Sequence, residues 1–192
     1  MTRNTTSILI RHYGDWIKEH LNEGWDGYLF TFLFNPLPGS VRAKNQQMER
    51  EIVRWYGRLA TRSVRKPRSP QWAPLLPKGI FVPDLPVFKR SKQDLRDVVI
   101  NNGLHVHGIL VASRLGRISE PLDEHFSKNL EKYLTGNFRH IDVEQITHAA
   151  AYVTEYGMKG LKRPMFSPDQ ILVLPRTLRE LPDRNRQLPG FG

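Results

Sequence analysis

The chain has 192 residues, with 29 Lys and Arg against 19 Asp and Glu, a net charge of +10 and a sequence pI near 10.1. A hydrophobic content of 39% with 10% aromatic residues fits a single folded domain with a real core and excludes a disordered chain. The absence of cysteine excludes disulfides and thiolate metal sites, and no apolar run reaches the ~18 residues of a transmembrane helix. The cationic excess favours a polyanionic partner, nucleic acid first and an anionic membrane surface second. The amino terminus "MTRNTTSILIRHYGDW" lacks the continuous apolar stretch of a secretory signal, so a cytoplasmic protein is expected.

In chain order, residues 8–22 place Ile10, Tyr13, Trp16, Ile17 and Leu21 at helical spacing, with Gly24 available to stop the helix. The aromatic run "YLFTFLFN" (28–35), followed by Pro36, reads as a strand. Residues 42–66 read as a helix with Met48, Ile52, Tyr56 and Leu59 on one stripe, and "KPRSPQWAPLLPKG" (66–79) as a proline-rich basic loop. "DLRDVVI" (94–100) and "LHVHGILVA" (104–112) look like arms of a hairpin closed by Asn101-Asn102-Gly103. Residues 122–134 read as a helix, "NFRHIDV" (137–143) as a short strand and 144–156 as a helix; the tail from 175 is weakly patterned. No internal repeat is visible. Helices interleaved with strands, one pair of them a hairpin, predict an α+β fold with a central antiparallel sheet flanked by helices, in one domain over 1–174 with a tail over 175–192.

Two constellations carry chemistry. His105 and His107 are one residue apart on a strand of core character, so they project from the same face while Val106 projects from the other. Two neutral imidazoles side by side supply adjacent metal ligands; the alternative is a histidine pair bonded locally on a half-exposed face. A third ligand is needed. A three-residue hairpin loop would put Asp97 opposite His107 on the same face, a two-residue loop would send it to the other, and Asp94, Glu120, Asp123 and Glu124 are alternatives. The second constellation is "HAAAYVTEYGMKGLKR" (148–163). On a helix, Tyr152, Tyr156 and Lys159 share a face; the structural alternative packs both rings in the core and pairs Lys159 with Glu155. Gly157 and Gly160 weaken a purely structural helix here and would let another backbone come close.

Taken together, "YLFTFLFN", "HVHGIL" and "YVTEYGMK", in that order, resemble the motifs of the HUH endonuclease superfamily, named for its His-hydrophobic-His signature, over roughly residues 28–160. The paired tyrosines look most like those of two-tyrosine rolling-circle initiators of small phages and related elements. The resemblance implies an HUH/Rep-like sheet, related to ferredoxin-like folds. It implies a divalent ion, Mg²⁺ or Mn²⁺, on the histidines, and site-specific cleavage and rejoining of single-stranded DNA or an origin hairpin through a 5′-phosphotyrosine. A separate helicase and polymerase would act alongside, in a bacterial host cell carrying the phage or mobile element. In this group each tyrosine is commonly followed three residues later by lysine. Tyr156 has Lys159 but Tyr152 has Glu155, whose charge disfavours a phenolate, so Tyr156 is the better-supported nucleophile. A single-strand transposase and a DNA-binding protein without cleavage are the alternatives.

The basic residues bear on the same substrate. Arg50, Arg54, Arg58 and Arg62 recur every four residues on the second helix, a row able to track phosphates, or else a solvated helix face. Trp55 and Trp72 are candidate base-stacking platforms, or core.

Overall fold

A computed structural model describes residues 3–85, 100–147, 150–163, 166 and 168–176, the side chains of 3–5 and 150–152 excepted. The described elements, in order, are α1 (Arg3–Asn22), β1 (Asp26–Phe34), α2 (Val41–Ser63), β2 (Lys78–Asp84), β3 (His105–Ala112), α3 (Leu122–Asn129), β4 (Phe138–Gln145), α4 (Ala150–Gly157) and β5 (Leu172–Leu174), with short 3₁₀ turns between several of them. The strands form one antiparallel sheet in the order β4-β1-β3-β2-β5. The α+β class with an antiparallel sheet is therefore as expected.

Alternation along the strands builds two cores. Tyr28, Phe30, Phe32 and Phe34 of β1 face α2, where Met48, Ile52, Trp55, Tyr56 and Leu59 meet them with Phe81, Val106 and Leu110. Trp55 packs its ring edge-on against Phe30 and Phe32 and is fully buried, so it is core and no stacking platform; burying such side chains stabilises the fold by about 1.5–3 kcal/mol each. On the opposite face, Ile80, Val82, Ile109 and Val111 pack against Ile10 and Ile17 of α1 and Met158 and Leu161 after α4. Local signals set the helix ends. Ser40 Oγ accepts from Ala43 N at 3.3 Å to open α2, and Gly24, at φ 86, closes α1 while Trp25 N bonds His20 O.

Several expectations shift. The 104–112 segment is no hairpin arm with 94–100: both edges of β3 are filled, by β1 and by β2, so the residues facing His107 are Thr31 and Val82. Asp97 and Asp94 lie outside the described residues, and the cross-strand place expected of Asp97 is taken. Asn101 and Asn102 (φ 55 and 56) and Gly103 (φ 72) make a left-handed turn, a conformation asparagine tolerates better than most residues. The buried Asn101 side chain ties that turn to the end of β1, accepting from Leu37 N at 2.8 Å and donating to Asn35 O at 3.0 Å. β2 was not expected. The span 144–156 divides, its first two residues ending β4 and α4 starting only at Ala150. Residues 177–192 lie outside the described residues.

Candidate functional site

His105 and His107 stand on the α1/α4 face of the central strand, both buried. Their orientation is set by the backbone around them. The turn at 101–103 aims the Gly103 carbonyl at His105, whose Nδ1–H donates to it at 2.9 Å and leaves Nε2 as the free acceptor. His107 Nδ1 lies 3.2 Å from the hydroxyl of Thr31, its neighbour on β1. The two Nε2 atoms are 3.2 Å apart. Burial favours the neutral form of both imidazoles: it lowers the pKa of His105, and it lowers that of His107 from 6.5 to about 3, with repulsion from the neighbouring His105, when protonated, and from Lys159 acting in the same direction. Neutral imidazoles with converging Nε2 atoms are in the state a metal requires.

The third group is Asp84, the last residue of β2, directly across the ladder from His105. Its carboxylate is fully buried, and Oδ2 lies 3.8 Å from His105 Nε2 and 3.7 Å from His107 Nε2. Neither oxygen has a hydrogen-bond partner. Its charge is met by Lys159 and Arg163, and with two imidazole nitrogens it makes an N₂O donor set whose ligand atoms all lie within 4.8 Å of one another. The residues present thus fit a divalent cation. Asp84 went unnoticed in the sequence although a signal exists: it closes the apolar run Ile80–Pro83, where a lone carboxylate has no structural reason to sit. Of the other candidates, Glu120 accepts a 2.6 Å bond from His125, Glu124 pairs with Lys128, and Asp123 stands in the first turn of α3; none belongs to this cluster.

Tyr156 and Lys159 meet the same cluster. The Tyr156 ring, 37% exposed, lies 5.3 Å from the ring of His107 between centroids and borders a cleft of about 320 Å³ with Thr31, Asp142 and Glu144. Lys159 is not on α4 but in the 3₁₀ turn that follows, at Lys159–Lys162. Its ammonium sits 3.9 Å from the Tyr156 ring centroid and 3.2 Å from Asp84 Oδ2. Glu155 pairs with Lys162 instead of Lys159. Arg163 adds a second cation, its Nε 3.5 Å from Asp84 Oδ1, and donates to Leu85 O at 2.9 Å. Gly160 allows this approach: a Cβ there would fall 2.1 Å from the Pro83 carbonyl oxygen. Tyr152 lies one turn before Tyr156 on α4, its side chain outside the described residues.

The arginine row is elsewhere. α2 covers the other face of the sheet, so Arg50, Arg54, Arg58 and Arg62 do not adjoin the histidines. Arg54 pairs with Glu51 at 3.1 Å, Arg58 bonds the Thr135 hydroxyl, and Arg62 lies over the Tyr133 ring at 4.8 Å, while Arg50 is exposed. No helix among the described residues is long and apolar enough to cross a membrane. Compared with protein-family models, with curated proteins and with solved structures, the chain matches none.

Proposed function

We propose that the protein is a metal-dependent, site-specific endonuclease and strand transferase of single-stranded DNA, working through a 5′-phosphotyrosine on Tyr156, as rolling-circle initiators of the HUH type do. The observation that carries this reading is the convergence of His105 Nε2, His107 Nε2 and the buried carboxylate of Asp84 beside a half-exposed tyrosine and a lysine. The net charge of +10 supports a polyanionic substrate.

A Mg²⁺ or Mn²⁺ ion held by His105, His107 and Asp84 would supply Lewis-acid charge to a non-bridging phosphate oxygen. Tyr156 Oη attacks phosphorus; the new bond is Oη–P, the bond broken is P–O3′, and the phenolic proton leaves as the 3′-oxygen gains one. Lys159 stabilises the negative charge that gathers on the phenolate and phosphate. The phosphodiester energy is kept in the tyrosyl ester, and a later attack by a 3′-hydroxyl rejoins the strand. In the two-tyrosine scheme Tyr152 serves a second strand transfer.

Incubation with a library of single-stranded DNA and Mn²⁺ should give a covalent adduct whose peptide, by mass spectrometry, carries the nucleotide on Tyr156. EDTA, Tyr156→Phe or the His105→Ala, His107→Ala double change should each abolish it. Adduct formation in full by the double variant would remove the metal role. A chain that binds DNA, takes up metal and forms no adduct is a DNA-binding protein and no nuclease.

A further inference from the structure

Asp84 is ion-paired twice without being hydrogen-bonded. Lys159 Nζ lies 3.2 Å from its Oδ2 and Arg163 Nε 3.5 Å from its Oδ1, both beyond the ~2.7–2.9 Å of a charge-assisted hydrogen bond, and neither oxygen has a bonding partner. The two cations supply charge but no directional bond. Their backbone is fixed: Gly160 packs on the Pro83 carbonyl, Arg163 N donates to Gly160 O at 3.0 Å, and Met158 and Leu161 are buried against α1. Movement is left to the side-chain heads. These are 22% and 32% exposed while the Asp84 side chain is 0% exposed, so they reach from the buried carboxylate to solvent.

Charge decides where the heads go. With both imidazoles neutral, one carboxylate against two cations leaves an excess of one positive charge, and a divalent ion on His105, His107 and Asp84 would raise that excess to three. In a partly buried site such an excess calls for an anion. No other carboxylate among the described residues joins the cluster: Glu155 is paired with Lys162, and Asp142 and Glu144, across the Tyr156 cleft, are exposed to water. A phosphodiester supplies the missing charge. Arginine suits it because a planar guanidinium offers parallel N–H donors to two phosphate oxygens. One donor of Arg163 is already engaged by Leu85 O at 2.9 Å, which holds the head beside the centre as the carboxylate pair opens.

We propose that Arg163 is a phosphate ligand of the single-stranded substrate, held on Asp84 until a divalent ion replaces it there, so that metal and DNA bind with positive coupling. The proposal rests on the endonuclease reading above. It is tested in a Tyr156→Phe background, where no cleavage intervenes, with a labelled random-sequence single strand of about twelve nucleotides, within the range of single-strand site sizes. At constant ionic strength, Mn²⁺ should raise its affinity over EDTA about tenfold by fluorescence anisotropy, and by linkage the oligonucleotide should raise Mn²⁺ affinity, by titration calorimetry, by the same factor. Adding His105→Ala and His107→Ala should abolish the effect, which separates it from Mn²⁺ bound to the DNA itself. Arg163→Gln keeps an amide donor for Leu85 O but no charge. It should bind Mn²⁺ alone more tightly and lose most of the coupling, and Arg163→Lys should recover the coupling in part. Tighter metal binding cannot come from misfolding. Independent binding of Mn²⁺ and DNA, or coupling left whole by Arg163→Gln, overturns the role of Arg163. If the unmodified chain still forms its Tyr156 adduct in that case, the endonuclease reading stands without it; failure to bind any oligonucleotide overturns both.

Discussion

Thr31 holds the His107 ring through its hydroxyl, 3.2 Å from Nδ1. A hydroxyl can accept from Nδ1–H or donate to bare Nδ1, and only the first leaves Nε2 free beside His105 Nε2. Thr31→Val keeps the shape and removes the oxygen, so Mn²⁺ affinity measured by titration calorimetry should fall about 10- to 100-fold. Lys159 acts in the opposite sense. Its ammonium already neutralises Asp84, so a divalent ion has to displace it. Lys159→Met should bind Mn²⁺ more tightly than the unmodified chain and yet form less Tyr156 adduct, a pairing of results that a merely structural lysine would not give. The imidazoles also set an acid limit. His107 titrates near 6.5 unfolded and about 3 folded, so the unfolded chain takes up its proton first. The stability from keeping it neutral is complete above 6.5 and is lost as pH falls toward 3, by about 1.4 kcal/mol per pH unit for that group. Urea unfolding of the metal-free protein across that window should show this slope, and His107→Leu should flatten it.

Among the elements, the turn after α4 does most to assemble the site. Gly160 lies so close to the β2 backbone that a Cβ cannot fit, and this contact sets Lys159 over Asp84. Gly160→Ala should lower stability by about 1–3 kcal/mol in urea unfolding and weaken adduct formation more than DNA binding. β2 itself escaped notice for a physical reason: "KGIFVPD" follows a proline-rich loop and carries Pro83, which argues against a central strand. The proline is tolerated because 82–84 lies beyond the reach of β5, where no ladder bond is required. The "NNGLHVHG" stretch was read as a hairpin turn because Asn and Gly favour positive φ; the φ values are indeed positive, but the turn joins β3 to the end of β1.

At the scale of the whole molecule, the sheet separates two basic regions. Lys159 and Arg163 serve the histidine face, while the arginine row lies along α2 on the other. Of that row only Arg50 is both exposed and without a partner given to it by the fold's described contacts, since Arg54, Arg58 and Arg62 meet Glu51, Thr135 and Tyr133. Arg42, in the first turn of α2, is exposed as well. Arg42→Ala and Arg50→Ala should each reduce the salt slope of single-strand binding by about 0.7, the value for one lost phosphate contact, with Arg58→Ala and Arg62→Ala changing it less. Equal effects from all four would mean that DNA runs the length of α2.

Properties that repeat at fixed intervals along the chain were legible from it. The stripe of Met48, Ile52, Tyr56 and Leu59, the alternation through "YLFTFLF", the shared face of His105 and His107 and the stop at Gly24 depend on helical and strand periods and on φ, which neighbours in sequence determine. The basic composition pointed to a polyanion in the same way. What decided the candidate centre lies across the sheet. Asp84 reaches His105 because β2 and β3 pair in one register, Thr31 reaches His107 through β1, and Lys159 reaches Asp84 through the absent side chain of Gly160. Register between strands distant in sequence is set by the packing of both sheet faces, and a shift of one residue would have sent Asp84 to the opposite face.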